Sequence, residues 1–243
     1  MNRLSKCINF QIKNMIKSSV IFLAIYFAVS LALYLLFAFS INNSSGGSIN
    51  SGFYMGTAIF LFVFVIASYK EMFNYLLMFG NTRKNILLSS IVTSAVMSLS
   101  FSVISSISIQ VEDVLSKSIG NGRFGNINLI NLMYEGSGVF SVFIWLTMFF
   151  FLICSFSLLY ASLAYKFGSV FITVFWVCFG LSFIGLPILF ETNNFKVLAD
   201  ALAFFFRIGS EHGVLLAPVN FVAASAIFSA VAYLASRRQP QNA

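Results

Sequence analysis

Few side chains in this chain could carry out a reaction, and their spacing argues against most kinds of it. His212 is the single histidine, so no second imidazole can share a metal with it, and it reads as a solvated loop residue. Cys7, Cys154 and Cys178 are far apart, and the last two lie inside apolar runs. They read as small packing residues, with neither a disulfide framework nor a metal-ligand spacing. The chain has no HExxH helix, no GxSxG turn and no paired carboxylates within an apolar run. It also lacks the GxxxxGKS/T loop that cradles nucleotide phosphates. The expectation is a protein that is not itself an enzyme and binds no metal or cofactor directly.

The solvent these residues are built for is lipid. Of 243 residues, 59% are hydrophobic and only 9% charged, against about a quarter charged in soluble domains. So few charges could not cover a water-facing surface. Phenylalanine dominates, with 31 copies. A net charge of +7 would suggest nucleic acid in a soluble protein; here the placement of the charges matters more than their sum, and no nucleic-acid partner is expected.

Six uncharged runs can each cross about 30 Å of hydrocarbon as a helix: Ser18–Ile41, Ser51–Ser68, Ile86–Gln110, Gly138–Tyr165, Gly168–Phe190 and Gly213–Ser236. Without water to satisfy their backbone groups, such runs must be helical. No Asp, Glu, Lys, Arg or His lies within any of them. Ion-coupled transporters and proton relays generally need ionisable groups at depth. A chain with neither energy source nor catalytic group borrows energy from a partner, conducts passively, or is structural.

Lysine and arginine in the connections set the orientation. With the N-terminus inside, Arg3, Lys6, Lys13, Lys17, Lys70, Arg83, Lys84, Lys166, Arg237 and Arg238 are cytoplasmic, while Lys117, Arg123, Lys196 and Arg207 are outside. The acids split the other way, with Glu71 alone inside. This bias predicts a multi-pass membrane protein with two cytoplasmic termini.

Before the first span, residues 3–17 place Leu4, Ile8, Ile12, Met15 and Ile16 on one helical face, with Arg3, Lys6, Lys13 and Lys17 on the other. Phe10 breaks the pattern by sitting on the basic side. This describes a helix lying in the membrane interface over residues 1–17. A signal peptide is the competing reading; the apolar stretch that follows is too long for one and lacks a small-x-small cleavage site, so the segment is expected to be retained.

Two outer connections are long. Val111–Ser137 includes the Gly- and Asn-rich GNGRFGNINLIN and reads as a partly ordered cap. Within 191–212, Lys196, Asp200 and Arg207 share a narrow stripe opposite Phe195, Leu198, Leu202, Phe205 and Phe206. Three charges there would be costly at the bilayer centre, so a re-entrant or surface helix is expected and not a seventh span. Gly180, Gly185 and Pro187 predict a kink or break near the outer end of the fifth span. Ser90, Ser94, Ser98, Ser102 and Ser105 recur at helical spacing in the third span, and read either as a close-packing stripe or as the lining of a translocation path. The fold class predicted is an all-α integral membrane protein, a single transmembrane domain of six helices with an N-terminal interfacial helix and a re-entrant outer segment.

Between the second and third spans lies YKEMFNYLLMFGNTRKN, residues 69–85. Met72, Phe73, Leu76 and Phe79 can form one helical face, awkward to leave exposed in cytosol, before Gly80 interrupts the pattern. By itself this is either an interfacial loop with Arg83 and Lys84 as membrane-edge anchors, or a surface for a partner. The block FNYLLMFGNTRKNIL resembles the cytoplasmic turn of bacterial ABC exporter permeases of the type-2 class, whose small Gram-positive members carry an aromatic–aliphatic stretch followed by Gly-x-(Ser/Thr)-Arg-Lys. The six-span layout is similar too, although the motif covers only about fifteen residues.

That resemblance implies a coupling helix seated in a groove of a separate ATP-binding subunit. Glu71, Met72, Phe73, Tyr75, Leu76 and Met78 would form the seat, and Gly80, Thr82, Arg83 and Lys84 the turn into the third span. ATP and magnesium would sit on that partner, and a second permease subunit, identical or related, would complete the pore. The Phe-rich, charge-free interior suits an amphipathic or hydrophobic cargo such as an antimicrobial or cytolytic peptide. The alternative is a non-transport membrane protein for immunity or sensing that binds a peptide at the outer surface.

Overall fold

A computed structural model describes residues 3–40, 52–119, 130, 133–134, 138–190, 194–210 and 213–237, with side chains described over most of these. The described residues are helical, with no strand: α1 (Arg3–Ser40), α2 (Phe53–Met78), α3 (Arg83–Ile119), α4 (Val139–Phe167), α5 (Ser169–Phe190), α6 (Asn194–Phe206) and α7 (Gly213–Arg237). Five of them contain stretches long and apolar enough to cross a membrane: Ser5–Ala32, Phe53–Met78, Arg83–Glu112, Val139–Phe167 and Gly213–Arg237. This is an all-helical membrane-type protein.

α4 is the centre of the bundle. It packs most extensively along α7, then equally against α2 and α3, while α1 lies on α3 and α2 from outside. Aromatic pairs fix the register. Phe10 stacks on Tyr75 and Phe22 on Phe60, so α1 and α2 are antiparallel. Phe62 meets Phe156 and Phe156 meets Phe228, while Trp145 meets Phe221, so α2, α4 and α7 run together. The start of α1, the α2–α3 turn and the end of α7 therefore share one end of the bundle. That end carries Lys6, Lys13, Lys17, Lys70, Arg83, Lys84, Lys166 and Arg237 against Glu71.

Helix ends differ from the sequence expectations. α1 is continuous through 3–40, with no break between an interfacial segment and a span; its 38 residues would measure about 57 Å. Its bundle-facing residues are Cys7, Gln11, Met15 and Ser19, whereas Ile16 is exposed. Close approach to α3 favours Cys7, Gln11 and Ser19 at the contact, while Ile8 and Ile12 are half-buried at its edge. α2 runs on to Met78, ten residues past the expected end of its span, because the charges at 70 and 71 mark a change of solvent and not a helix stop. α5 is helical through Gly180, Gly185 and Pro187 without the expected break. Cys178 is exposed on α5, while Cys7 and Cys154 are buried.

The GNGRFGNINLIN stretch beyond Ile130, the connection 41–51, His212 and Arg238 lie outside the described residues. So do the side chains of Arg3, Phe195 and Leu198. In α6, Lys196 and Asp200 are exposed as the stripe predicted, and Phe205 and Phe206 pack against Phe221 of α7.

Candidate functional site

The segment singled out by sequence forms a tight elbow between α2 and α3. Gly80 takes a left-handed conformation, φ 71°, which costs a residue with a Cβ about 1–2 kcal/mol. Its N–H donates to the Leu77 carbonyl (2.9 Å), and the Asn81 N–H donates to the Leu76 carbonyl (3.3 Å). This pair of bonds is the Schellman arrangement that ends helices. The Asn81 side-chain amide adds a bond to the same Leu76 carbonyl at 3.1 Å. Two residues later Thr82 caps α3, its Oγ1 accepting from the Asn85 N–H at 3.3 Å. Arg83 then reaches across the bundle end, where its Nη1 donates to the Arg237 carbonyl at 2.9 Å. That oxygen is among the last carbonyls of α7, which have no partner within the helix.

These contacts give Gly80, Thr82 and Arg83 roles in building the elbow, apart from any contact with a partner. The expected seat residues divide. Phe73 and Leu76 are 2% and 4% exposed and belong to the core. Phe73 packs on Tyr69 and Tyr165; the Tyr165 hydroxyl donates to Asn74 (2.7 Å) and Ser162 donates to the Tyr69 hydroxyl (3.0 Å), locking this face of α2 to α4. Met72 is half-buried. Tyr75, Met78 and Phe79 instead face outward, at 44%, 83% and 65% exposure. Glu71 and Lys84 are exposed beside them.

Sequence reasoning missed two residues here. Phe10 stacks on Tyr75 at 4.7 Å between centroids, and Tyr75 meets Phe79 at 4.6 Å. The three rings make a ladder along the elbow's edge. The signal was present, since Phe10 was the apolar residue out of place on a basic face. Gln11 was not singled out at all. It is 1% exposed, donates to Ser90 (3.2 Å) and accepts from Thr93 (3.0 Å), fastening α1 to α3. A lone amide at helical spacing from Cys7 and Met15 could have revealed it. Beside it lies a cavity of about 30 Å³ lined also by Ser68, Tyr69 and Ser94, room for only a water or two.

The serine stripe faces inward: Ser94, Ser98, Ser102 and Ser105 are all buried. Ser98 and Ser102 bond back to carbonyls of their own helix, and Ser102 also meets Thr147 of α4 at 2.7 Å. Within this chain the stripe is a helix-to-helix contact surface.

At the opposite end, Tyr134 donates to the Phe206 carbonyl and accepts from the Trp145 indole N–H (3.3 Å), while Asn220 donates to the Phe204 and Phe205 carbonyls (3.2 and 2.9 Å). Burial pushes the Tyr134 phenol above its ordinary value, and the indole bond partly offsets this. Gly213 must be glycine here, because a Cβ would stand 2.3 Å from the Arg207 carbonyl oxygen and 2.9 Å from the Tyr134 ring. α6 is thus clasped onto α4 and α7. Among the described residues no three of His, Cys, Asp or Glu gather as a metal site would require.

The class is that of an all-helical protein built for a membrane, with a hydrogen-bonded elbow at its basic end. No protein family, curated protein or solved structure matches the chain.

Proposed function

We propose that this chain is the membrane-spanning subunit of an ABC exporter, driven by a separate ATP-binding subunit that seats the elbow. The observation that carries this reading is the outward face of Tyr75, Met78 and Phe79, held on a capped helix–turn–helix among basic residues. A flexible loop would absorb a push; an elbow closed by Gly80 and Thr82 passes it into α2 and α3. The positive-inside bias puts this end in the cytoplasm, with both termini. α5 serves as a sixth span and α6 as a re-entrant segment in the outer leaflet. A second permease subunit, identical or related, completes the path, and ATP and magnesium stay on the partner. The charge-free interior favours an amphipathic or hydrophobic cargo such as an antimicrobial or cytolytic peptide.

The test is co-purification with a candidate ATP-binding subunit from the same genome. Met78→Asp with Phe79→Asp should abolish association while leaving insertion and the unfolding midpoint intact. Phe73→Asp or Leu76→Asp should instead unfold the bundle, since each buries a charge in the core. Unchanged association of the Met78/Phe79 double variant would overturn the coupling role. Peptide capture by the purified chain without any ATPase would favour the immunity or sensing reading.

A further inference from the structure

A second feature of the basic end is independent of the coupling role. Where the last turns of α4 and α7 part, they leave a groove of about 640 Å³ lined by Leu163, Lys166, Phe167, Val231, Leu234 and Arg237, with Ala235 also on its wall. Among the described residues its two charged groups are both cations, and no carboxylate lines it. The Lys166 ammonium lies 5.0 Å from the Phe167 ring centroid and the Arg237 guanidinium 5.8 Å from that of Tyr233, so each head is held over an aromatic face at the rim. Arg83, bonded to the Arg237 carbonyl, adds a third cation nearby.

The apolar walls lie deeper. Val231 is six residues before Arg237, about 9 Å along a helix, and Leu163 is about one turn before Lys166. Phe167, Val231 and Leu234 are exposed on the groove's open side. We propose that this groove is a binding site for an anionic phospholipid, with the phosphate between Lys166 and Arg237 and the first acyl carbons against Leu163, Val231 and Leu234. The chemistry selects that occupant. A zwitterionic headgroup would bring its own cation against two fixed ones, and a free phosphate would leave the apolar wall unused. Basic pockets between membrane helices hold acidic headgroups by this combination.

The test is native mass spectrometry of the full-length protein in mild detergent, titrated with phosphatidylglycerol, phosphatidylcholine or the deacylated glycerophosphoglycerol. A cation held against an acidic headgroup contributes roughly fivefold, whereas one elsewhere on the protein contributes little once no charged bilayer is present. Lys166→Gln with Arg237→Gln should therefore weaken phosphatidylglycerol binding about 25-fold. The charge-matched Lys6→Gln/Lys84→Gln should change it less than threefold. Leu234→Trp keeps both cations but fills the groove, and should also lose the lipid, with an unchanged unfolding midpoint showing that the bundle is intact. Three results would each overturn the proposal: equal loss in the Lys6/Lys84 pair, which means a diffuse surface effect; competition by glycerophosphoglycerol at equal concentration, which means a headgroup-only site; or undiminished binding by Leu234→Trp, which means the groove is not the site.

Discussion

The protein's two tryptophans lie in successive helices of similar composition and meet opposite surroundings. Trp145 of α4 is 4% exposed among Tyr134, Phe149 and Phe221, whereas Trp176 of α5 is 52% exposed and, among the described residues, meets rings of its own helix. α4 also buries Thr147, Ser155, Ser157, Ala161 and Ser162 at its helix contacts. Most of the described part of α5 is exposed, and it touches α4 mainly through Phe171 and Phe175 against Tyr160. Lipid is as apolar as leucine, so hydrophobicity does not decide which helix goes to the middle. Small and hydroxyl-bearing residues decide it, because they let backbones approach.

The contrast can be broken most forcefully at the tryptophans. Trp145→Ala should cost about 3–5 kcal/mol, as large aromatic deletions in packed cores do, and Trp176→Ala less than about 1 kcal/mol, both followed by denaturant unfolding in detergent. A Trp176 variant as damaged as the Trp145 one would mean that α5 is packed in the purified state, against a second copy. At the next scale, Ser102→Leu should lose about 1–3 kcal/mol through overpacking against Thr147. Thr173→Leu, on exposed α5, should stay within about 0.5 kcal/mol.

Below these core changes in size comes the clasp on α6. Tyr134→Phe should cost about 1 kcal/mol for the lost bond to Phe206. Because folding raises the Tyr134 pKa above its reference of 10.0, its contribution is complete below that pH and is lost as pH rises through the folded value. Stability of the parent protein should therefore fall on the alkaline side of pH 10, and the Tyr134→Phe variant should show a smaller fall. Equal alkaline sensitivity would remove Tyr134 as its source.

Much of the helical layout was legible in the sequence, since long uncharged runs leave few alternatives in lipid. What was not legible were the ends. Lys70 and Glu71 mark where water begins, and α2 ignores them until Gly80 supplies the left-handed residue that closes it. Of the apolar face expected at Met72, Phe73, Leu76 and Phe79, Phe73 and Leu76 are covered and Phe79 is not. The covering is α4 through Tyr165, and a single helix pattern cannot say whether such cover comes from the same chain or another. Gln11 escaped notice because bulky apolar residues define the expected face of α1, whereas the buried one follows the Cys7, Gln11, Met15 spacing.

The tie between Arg83 and the end of α7 has a further consequence. Its acceptor is the peptide oxygen of residue 237 and not that residue's side chain. The tie itself places no demand on the side chain at 237, whose guanidinium answers to the groove beside α4, whereas position 83 is tolerant of almost nothing shorter than arginine. The pair would thus leave no correlated signature in a set of descendants, and the tether could persist invisibly while one of its two addresses was rewritten.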